Sequence, residues 1–307
     1  MLDLVIAFIP SLLLGSMSLL LVALGGDTRQ QTMGELGGGF LFAAVATAIL
    51  RPAWTTTDLV VSFLSGVLLG VGIMWQIKSF RSIGVSRTMP ISTGGQLLFI
   101  SLGGVLLFGE WRHGAALPVG LAALALIIVG IALTAWREKS AAAADAADTA
   151  DAGAPVEWRR GARELVVSTF GLVAYLLLVR WYGIDGTTAL FPQACGYLLT
   201  GFLLTFPRFS REFGPTDTRW SLTTVKQLLP GLLWGAAILI MQMSSARVGV
   251  AVGFTLSQMG VVIATLGGIW WLGEKRTHTE LVRSLIGCAL VVVGAVLVGV
   301  AKGLDAA

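Results

Sequence analysis

The sequence predicts an all-α integral membrane protein of ten transmembrane helices, arranged as two inverted repeats of five. Three observations lead there. Only 12% of the 307 residues are Asp, Glu, Lys or Arg, against about 25% in a soluble domain, so there is too little charge to cover a water-facing surface. The 55% hydrophobic content and the mean hydropathy of +0.83 are gathered into long uncharged runs. The two halves of the chain also repeat one another at a shift of 164–165 residues.

A spanning helix needs about 20 apolar residues. Uncharged runs of that size occupy 4–26, 59–77, 88–109, 114–136, 186–207, 227–246, 248–273 and 284–301. Two further segments complete the ten. Residues 31–50 are Gly-rich and carry Glu35; residues 165–179 are short and lead to an interfacial Trp181–Tyr182 pair. Backbone in hydrocarbon must hydrogen-bond within its own segment, so helix is the form these runs take. The first span has neither a basic leading region nor a small-residue cleavage pattern, so no removable signal peptide is expected. Residues 137–162 form an Ala/Asp-rich linker, whose core from Ser140 to Pro155 holds no large apolar residue; such a segment stays flexible. It separates a first five-helix repeat, 1–136, from a second, 163–307.

The duplication is carried by ordered matches. Gly66-Val67-Leu68-Leu69-Gly70 falls on Gly231-Leu232-Leu233-Trp234-Gly235, Gly103-Gly104 on Gly267-Gly268, and Gly109-Glu110 on Gly273-Glu274. An odd number of helices per repeat turns the second copy upside down. Charge agrees: Lys78, Arg81 and Arg87 follow the third span where only Arg247 follows the eighth, and Arg112 alone faces Lys275, Arg276 and Arg283. Of the 21 basic residues, 16 fall in the loops after spans one, three, five, seven and nine. The positive-inside rule puts those loops and the linker in the cytoplasm and both termini outside. The same rule explains the net charge of +4 and pI near 9.4 without a nucleic-acid partner.

Within the spans the polar residues carry the chemistry. The chain has no Asn, so amide chemistry falls to Gln. On the fourth span Ser92 and Gln96 lie four residues apart on one face, after Pro90 and with Thr93 beside them. Gln76 precedes them on the third span, and Ser257 and Gln258 occupy the matching region of the ninth, together with Thr265. Proline frees backbone groups and can break or bend a membrane helix, often beside a cavity. Hydroxyl and amide groups on two such helices can line a site for an uncharged polyol, with the Trp75 and Trp234 indoles offering flat faces to a sugar ring. The competing reading is structural: hydroxyls bonding back to their own helix and amides joining neighbours. Glu35 is the one carboxylate in a first-half Gly-rich span, and no repeat partner for it is evident. An intramembrane acid points to proton coupling, unless it sits solvated at the helix end. Glu110 and Glu274 end their helices symmetrically, which points to a structural pairing. Cys195 and Cys288 read as small core residues. No metal-ligand cluster, cofactor motif, nucleophile–base set or phosphate-cradling loop is found.

Two blocks are recognisable. Lys78-Ser79, Ile83-Gly84-Val85-Ser86-Arg87-Thr88-Met89-Pro90-Ile91-Ser92-Thr93-Gly94 and Gln96-Leu97 form the first. Pro230 to Gly235, Leu256-Ser257-Gln258-Met259-Gly260-Val261-Val262-Ile263 and Leu272-Gly273-Glu274-Lys275 form the second. The chain resembles, over nearly its whole length, the GRP glucose/ribose porters of the drug/metabolite transporter superfamily. The resemblance implies a carrier taking up a glucose- or ribose-like monosaccharide across the plasma membrane by alternating access, with a proton. The long Ala/Asp linker and Glu35 depart from the family pattern. The rival readings are an exporter of the same superfamily and, from other classes, an intramembrane enzyme or a scaffold.

Overall fold

The computed structural model describes residues 2–109, 111, 114–136, 157–208, 216–248, 257, 259–274 and 276–305. Among the described residues every regular element is a helix: α1 (Leu2–Ala23), α2 (Thr28–Leu50), α3 (Thr56–Ile83), α4 (Val85–Phe108), α5 (Ala116–Ala135), α6 (Trp158–Trp181), α7 (Gly186–Leu204), α8 (Leu222–Lys226), α9 (Leu228–Val248), α10 (Gly260–Trp270) and α11 (His278–Asp305). The five-residue α8 runs into α9, and the two form one bent span, so ten helices remain. Seven segments are long and apolar enough to cross a membrane. Phe8–Ala23 and Gly260–Trp270 are shorter apolar helices, and α7 is the tenth.

Helix boundaries follow local chemistry. Asp27 caps α2 by accepting from Gln30 N, while the Gln30 side chain accepts from the Asp27 backbone N–H; Thr55 and Asp58 repeat this reciprocal cap at α3. Gly84, at φ 84°, reverses the chain between α3 and α4, a backbone region open to glycine. Pro90 does not break α4. It sits in the second turn, where only one intrahelical bond is lost, and the helix continues to Phe108. α6 begins at Trp158, inside the stretch read as linker. Residues 137–156 of that linker, together with Glu110, Arg112, His113, 249–256, Gln258 and Lys275, lie outside the described residues.

Helix packing depends on small residues, as it must where lipid removes the hydrophobic drive between helices. α3 packs on α6 and α7; α9 packs on α1 and α2; α5 and α11 pack on each other; α4 lies on α6 and α10 on α1. At the α2–α9 crossing a Cβ on Gly38 would meet Leu228 O at 2.1 Å, Leu232 N at 2.8 Å and Gly231 Cα at 2.9 Å. At the α7–α3 crossing a Cβ on Gly196 would meet Phe63 O at 2.1 Å, Val67 N at 2.9 Å and Gly66 C at 3.1 Å. Large apolar side chains such as Ile49, Leu106, Val166 and Phe170 face outward, giving the bundle a lipid-compatible belt.

The loops fall into two layers. Arg81 donates to Gly26 O, Thr218 to Asp27 Oδ2, Glu157 N to Ser82 O and Arg276 to Ser86 Oγ. These bonds gather the connections after α1, α3 and α10 with the chain just before α6 and α8 on one face, which carries most of the basic residues. On the other face Trp54 Nε1 donates to Thr188 O and Trp111 N to Asp305 Oδ2.

Candidate transport site

The reversal at Gly84 lays α4 beside α3 and brings three of the candidate residues into contact. Gln76 Nε2 donates to Ser92 Oγ at 2.8 Å, across the two helices, and Gln96 Nε2 donates to the same oxygen at 3.1 Å, along α4. Ser92 is fully buried, Gln76 nearly so, and Gln96 and Thr93 are half-buried. Two amides therefore converge on one hydroxyl, and the Gln76 bond also joins the helices. Trp75, next to Gln76, has the Lys78 ammonium over its ring at 4.3 Å, a cation–π contact.

Trp234 lies elsewhere in the core. It meets Tyr197 edge-on at 5.4 Å between centroids, and a Cβ on Gly39 would lie 2.8 Å from its ring. In this conformation its ring is packed against α2 and α7. Ser257 is buried ahead of α10, while Gln258 lies outside the described residues. Thr265 bonds back to Val261 O and touches Cys288 Sγ, the structural behaviour that competes with a ligand role.

Glu35 is not solvated at a helix end. It lies in the second turn of α2, about 10 Å along the axis from Thr28 at 1.5 Å per residue, and only 1% of it is exposed. Among the described residues neither carboxylate oxygen has a hydrogen-bond partner. Two further amides that sequence reasoning passed over, Gln31 and Gln227, sit nearby on α2 and at the α8–α9 junction. Each donates through Nε2 to Leu21 O and Gly25 O.

Glu35 and Gln193 pack in similar ways. A Cβ on Gly231 would meet Glu35 O at 2.1 Å, and one on Gly66 would meet Gln193 O at 2.1 Å. Gln193 therefore stands to α3 as Glu35 stands to α9. The offset here is 158 residues, not 165, because the connection between the second and third spans differs in length from that between the seventh and eighth. Gln193 Nε2 donates to Ser65 Oγ at 2.9 Å, and Ser65 donates onward to Tyr175 O. At the 165-residue shift read from the sequence, Ser65 falls on Pro230, which offers no donor at all.

On the basic face Glu274 is bound to the start of α4. It accepts from Val85 N at 2.6 Å and Ser86 N at 3.2 Å, and from the Ser86 hydroxyl. A carboxylate at a helix N-terminus meets unpaired N–H groups and the positive end of the dipole. Arg276 closes the set by donating to Ser86 and Ser284. Burial, followed by the nearby Arg87, pushes the Arg276 guanidinium down to about 10, while Glu274 and Glu280 pull it up. A buried Arg87–Glu280 pair at 3.5 Å lies alongside. Glu274 thus makes structural contacts, while Glu110, of which the same role was expected, lies outside the described residues.

Comparison with known proteins decides the family. The model of the sugar transport protein family matches residues 5–301. The chain belongs to this family. Its members are the GRP porters of the drug/metabolite transporter superfamily, transporters and not enzymes. A Listeria innocua protein named for sugar uptake is 40% identical over 301 residues, covering 98% of this chain and 99% of its own. A Bacillus cereus protein named for glucose uptake is 37% identical over 302 residues, covering 98% and 100%. A crystal structure with 16% sequence identity aligns over 96% of this chain and 97% of its own with a TM-score of 0.61, which shows a shared fold. The family member described here is a multi-pass protein of the plasma membrane that transports sugar.

Proposed function

We propose that the protein takes up a monosaccharide, glucose- or ribose-like, by alternating access between two inverted five-helix repeats, with a proton coupled through Glu35. The observation that carries the site is the convergence of Gln76 and Gln96 on Ser92. Amides placed on either side of a hydroxyl can exchange that partner for hydroxyls of a sugar, and Thr93, Ser257 and Gln258 extend the polar lining from the matching helices. Trp75 and Trp234 supply apolar faces once their present partners shift.

The reciprocal packing supports the repeat. Leu228, Gly231 and Leu232, which crowd Gly38, each lie 165 residues after Phe63, Gly66 and Val67, which crowd Gly196. The helix partners follow the same exchange: α3 with α6 and α7 corresponds to α9 with α1 and α2. Two halves that interlock in this way can rock about a shared centre. The split of 16 of 21 basic residues supports a cytoplasmic position for the Glu274-bound face, and in this reading the conformation is latched on the inside.

Energetics permit the coupling. Tenfold accumulation of a neutral sugar costs about 1.4 kcal/mol, and one proton crossing 100 mV supplies about 2.3 kcal/mol. The site is tested by sugar counterflow in proteoliposomes. Gln96→Ala and Gln258→Ala each lower exchange at least tenfold at equal protein abundance, because lost hydrogen bonds leave buried groups unpaired. Wild-type exchange in both variants removes these residues from the site.

A further inference from the structure

We propose that Gln31, Glu35 and Gln227 form a binding site for a small alkali cation of the sodium class at the basic-face end of α2 and α9. The observation is a surplus of acceptors. Of ten buried side-chain polar atoms without a partner among the described residues, four are Gln31 Oε1, both Glu35 carboxylate oxygens and Gln227 Oε1; Thr32 Oγ1 is a fifth. Gln31, Glu35 and Gln227 are 3%, 1% and 0% exposed.

The amide orientations follow from their bonds. Gln31 Nε2 donates to Leu21 O at 3.0 Å and Gly25 O at 3.4 Å, and Gln227 Nε2 donates to the same two carbonyls at 2.9 and 2.7 Å. Flipping either amide would set oxygen against oxygen, so both Oε1 atoms are held away from the Leu21 and Gly25 carbonyls. Shared acceptors place the two amide groups side by side. Glu35 lies one turn beyond Gln31 on the same side of α2, and helical side chains lean back toward the helix N-terminus, which is toward Gln31. Gln227 meets α2 from the facing helix, where a Cβ on Gly34, the residue before Glu35, would lie 2.2 Å from Gln227 Cβ.

Hard oxygen donors with one carboxylate suit an alkali ion. A monovalent ion cancels the single negative charge; a divalent ion would leave net charge in a dry site, which is costly. The close helix approach favours a small ion. A proton on Glu35 could satisfy only one further oxygen, whereas a cation satisfies the whole set. Other charges on the surrounding elements are otherwise engaged or stand at the loop end. Arg29, about 120° round the helix at 100° per residue, donates to Thr216 O. Asp27 takes Thr218, Arg81 takes Gly26 O, Arg219 is paired with Asp217, and Lys226 closes α8. Sodium and a proton then exclude one another at Glu35.

The test uses purified full-length protein in detergent, with thermal unfolding followed at constant ionic strength while N-methylglucamine chloride is replaced by sodium, lithium or potassium chloride. The proposal expects a saturable rise in unfolding temperature with sodium, smaller with potassium, abolished in Glu35→Gln and shifted at least tenfold to higher sodium in Gln227→Met. Absence of a saturable sodium response in the wild type overturns it, whatever the variants do. A response of wild-type size that persists in both variants also overturns it. Sugar counterflow measured on the same preparation keeps the two readings apart: a protein that exchanges sugar and ignores sodium loses the cation site and retains the transport function.

Discussion

Glu274 and Glu35 are both glutamates placed at helix contacts, and they are treated in opposite ways. Glu274 is half-buried and accepts from two backbone N–H groups and a hydroxyl, with Arg276 joined to the same serine. Glu35 is more deeply buried and has no hydrogen-bond partner among the described residues. Satisfied donors make Glu274 a fastening between α4 and the turn before α11. An unpaired buried carboxylate costs several kcal/mol, and a fold that keeps one has a use for its charge. The same contrast appears between two similar crossings: Gln193 on α7 donates to Ser65 on α3, whereas Glu35 on α2 has no partner where α9 carries Pro230 and Gly231.

Breaking the fastening has the largest expected effect on stability. Glu274→Ala strands the Val85 and Ser86 donors and leaves Arg276 without its neighbouring carboxylate. Hydrogen bonds to charged groups contribute about 1.5–3 kcal/mol each, so a loss of about 2 kcal/mol is expected after solvent competition at a half-buried site. Unfolding in a denaturing detergent reads it. Because the latch closes one face, the variant should also raise the fraction of protein open on the basic face, read as faster labelling of a cysteine placed at the buried Val85, whose side chain takes no part in the latch.

Giving Glu35 the partner that Gln193 enjoys sharpens the comparison. Pro230→Ser supplies a hydroxyl near the start of α9, where proline had been cheap. A gain of about 1 kcal/mol in stability is expected, with a weaker response of accumulation to a pH gradient. An unchanged gradient response in a stabilised variant would separate Glu35 from coupling.

An exposed carboxylate sets the lower bound. Asp185 caps α7 by accepting from Thr187 N and Thr188 N, and the Thr187 hydroxyl, ahead of the opposing burial, holds its carboxyl below the ordinary 3.8. The folded value lies beneath the unfolded one, so the contribution is present above about pH 4 and is lost as pH falls through the folded value. Asp185→Ala should cost about 1 kcal/mol at pH 7 and flatten stability below pH 4, checked by unfolding across that range.

The all-helical fold and its ten helices, seven of them long and apolar enough to span among the described residues, were legible in the sequence because hydrophobic length is a local signal. The Gln76–Ser92–Gln96 contact was half legible: Ser92 and Gln96 share a helix face by spacing alone, but Gln76 joins them only through the turn at Gly84. Glu35 shows what was hidden. Gln193, which packs in the like position, lies 158 residues on, outside the 164–165 register of the other matches, and the identities at that shift, such as Gly38 with Gly196 and Leu41 with Leu199, are scattered. Burial of the second turn of α2 depends on α9, far along the chain, so the same residue reads from sequence as an ordinary solvated helix end. Gln31 and Gln227 were invisible for the same reason, lying at helix ends that the bundle covers.

The central claim is sugar uptake, and the most direct measurement is radiolabelled glucose and ribose movement into proteoliposomes in sodium-free buffer, with and without an inward proton gradient. Wild-type protein should exchange at least one of the two sugars and concentrate it several-fold only when the gradient is imposed. Glu35→Gln should exchange that sugar at a rate near wild type and fail to concentrate it. Accumulation by the Gln variant at the wild-type level would contradict coupling through Glu35. Failure of the wild type to exchange either sugar would contradict the proposed substrate class itself.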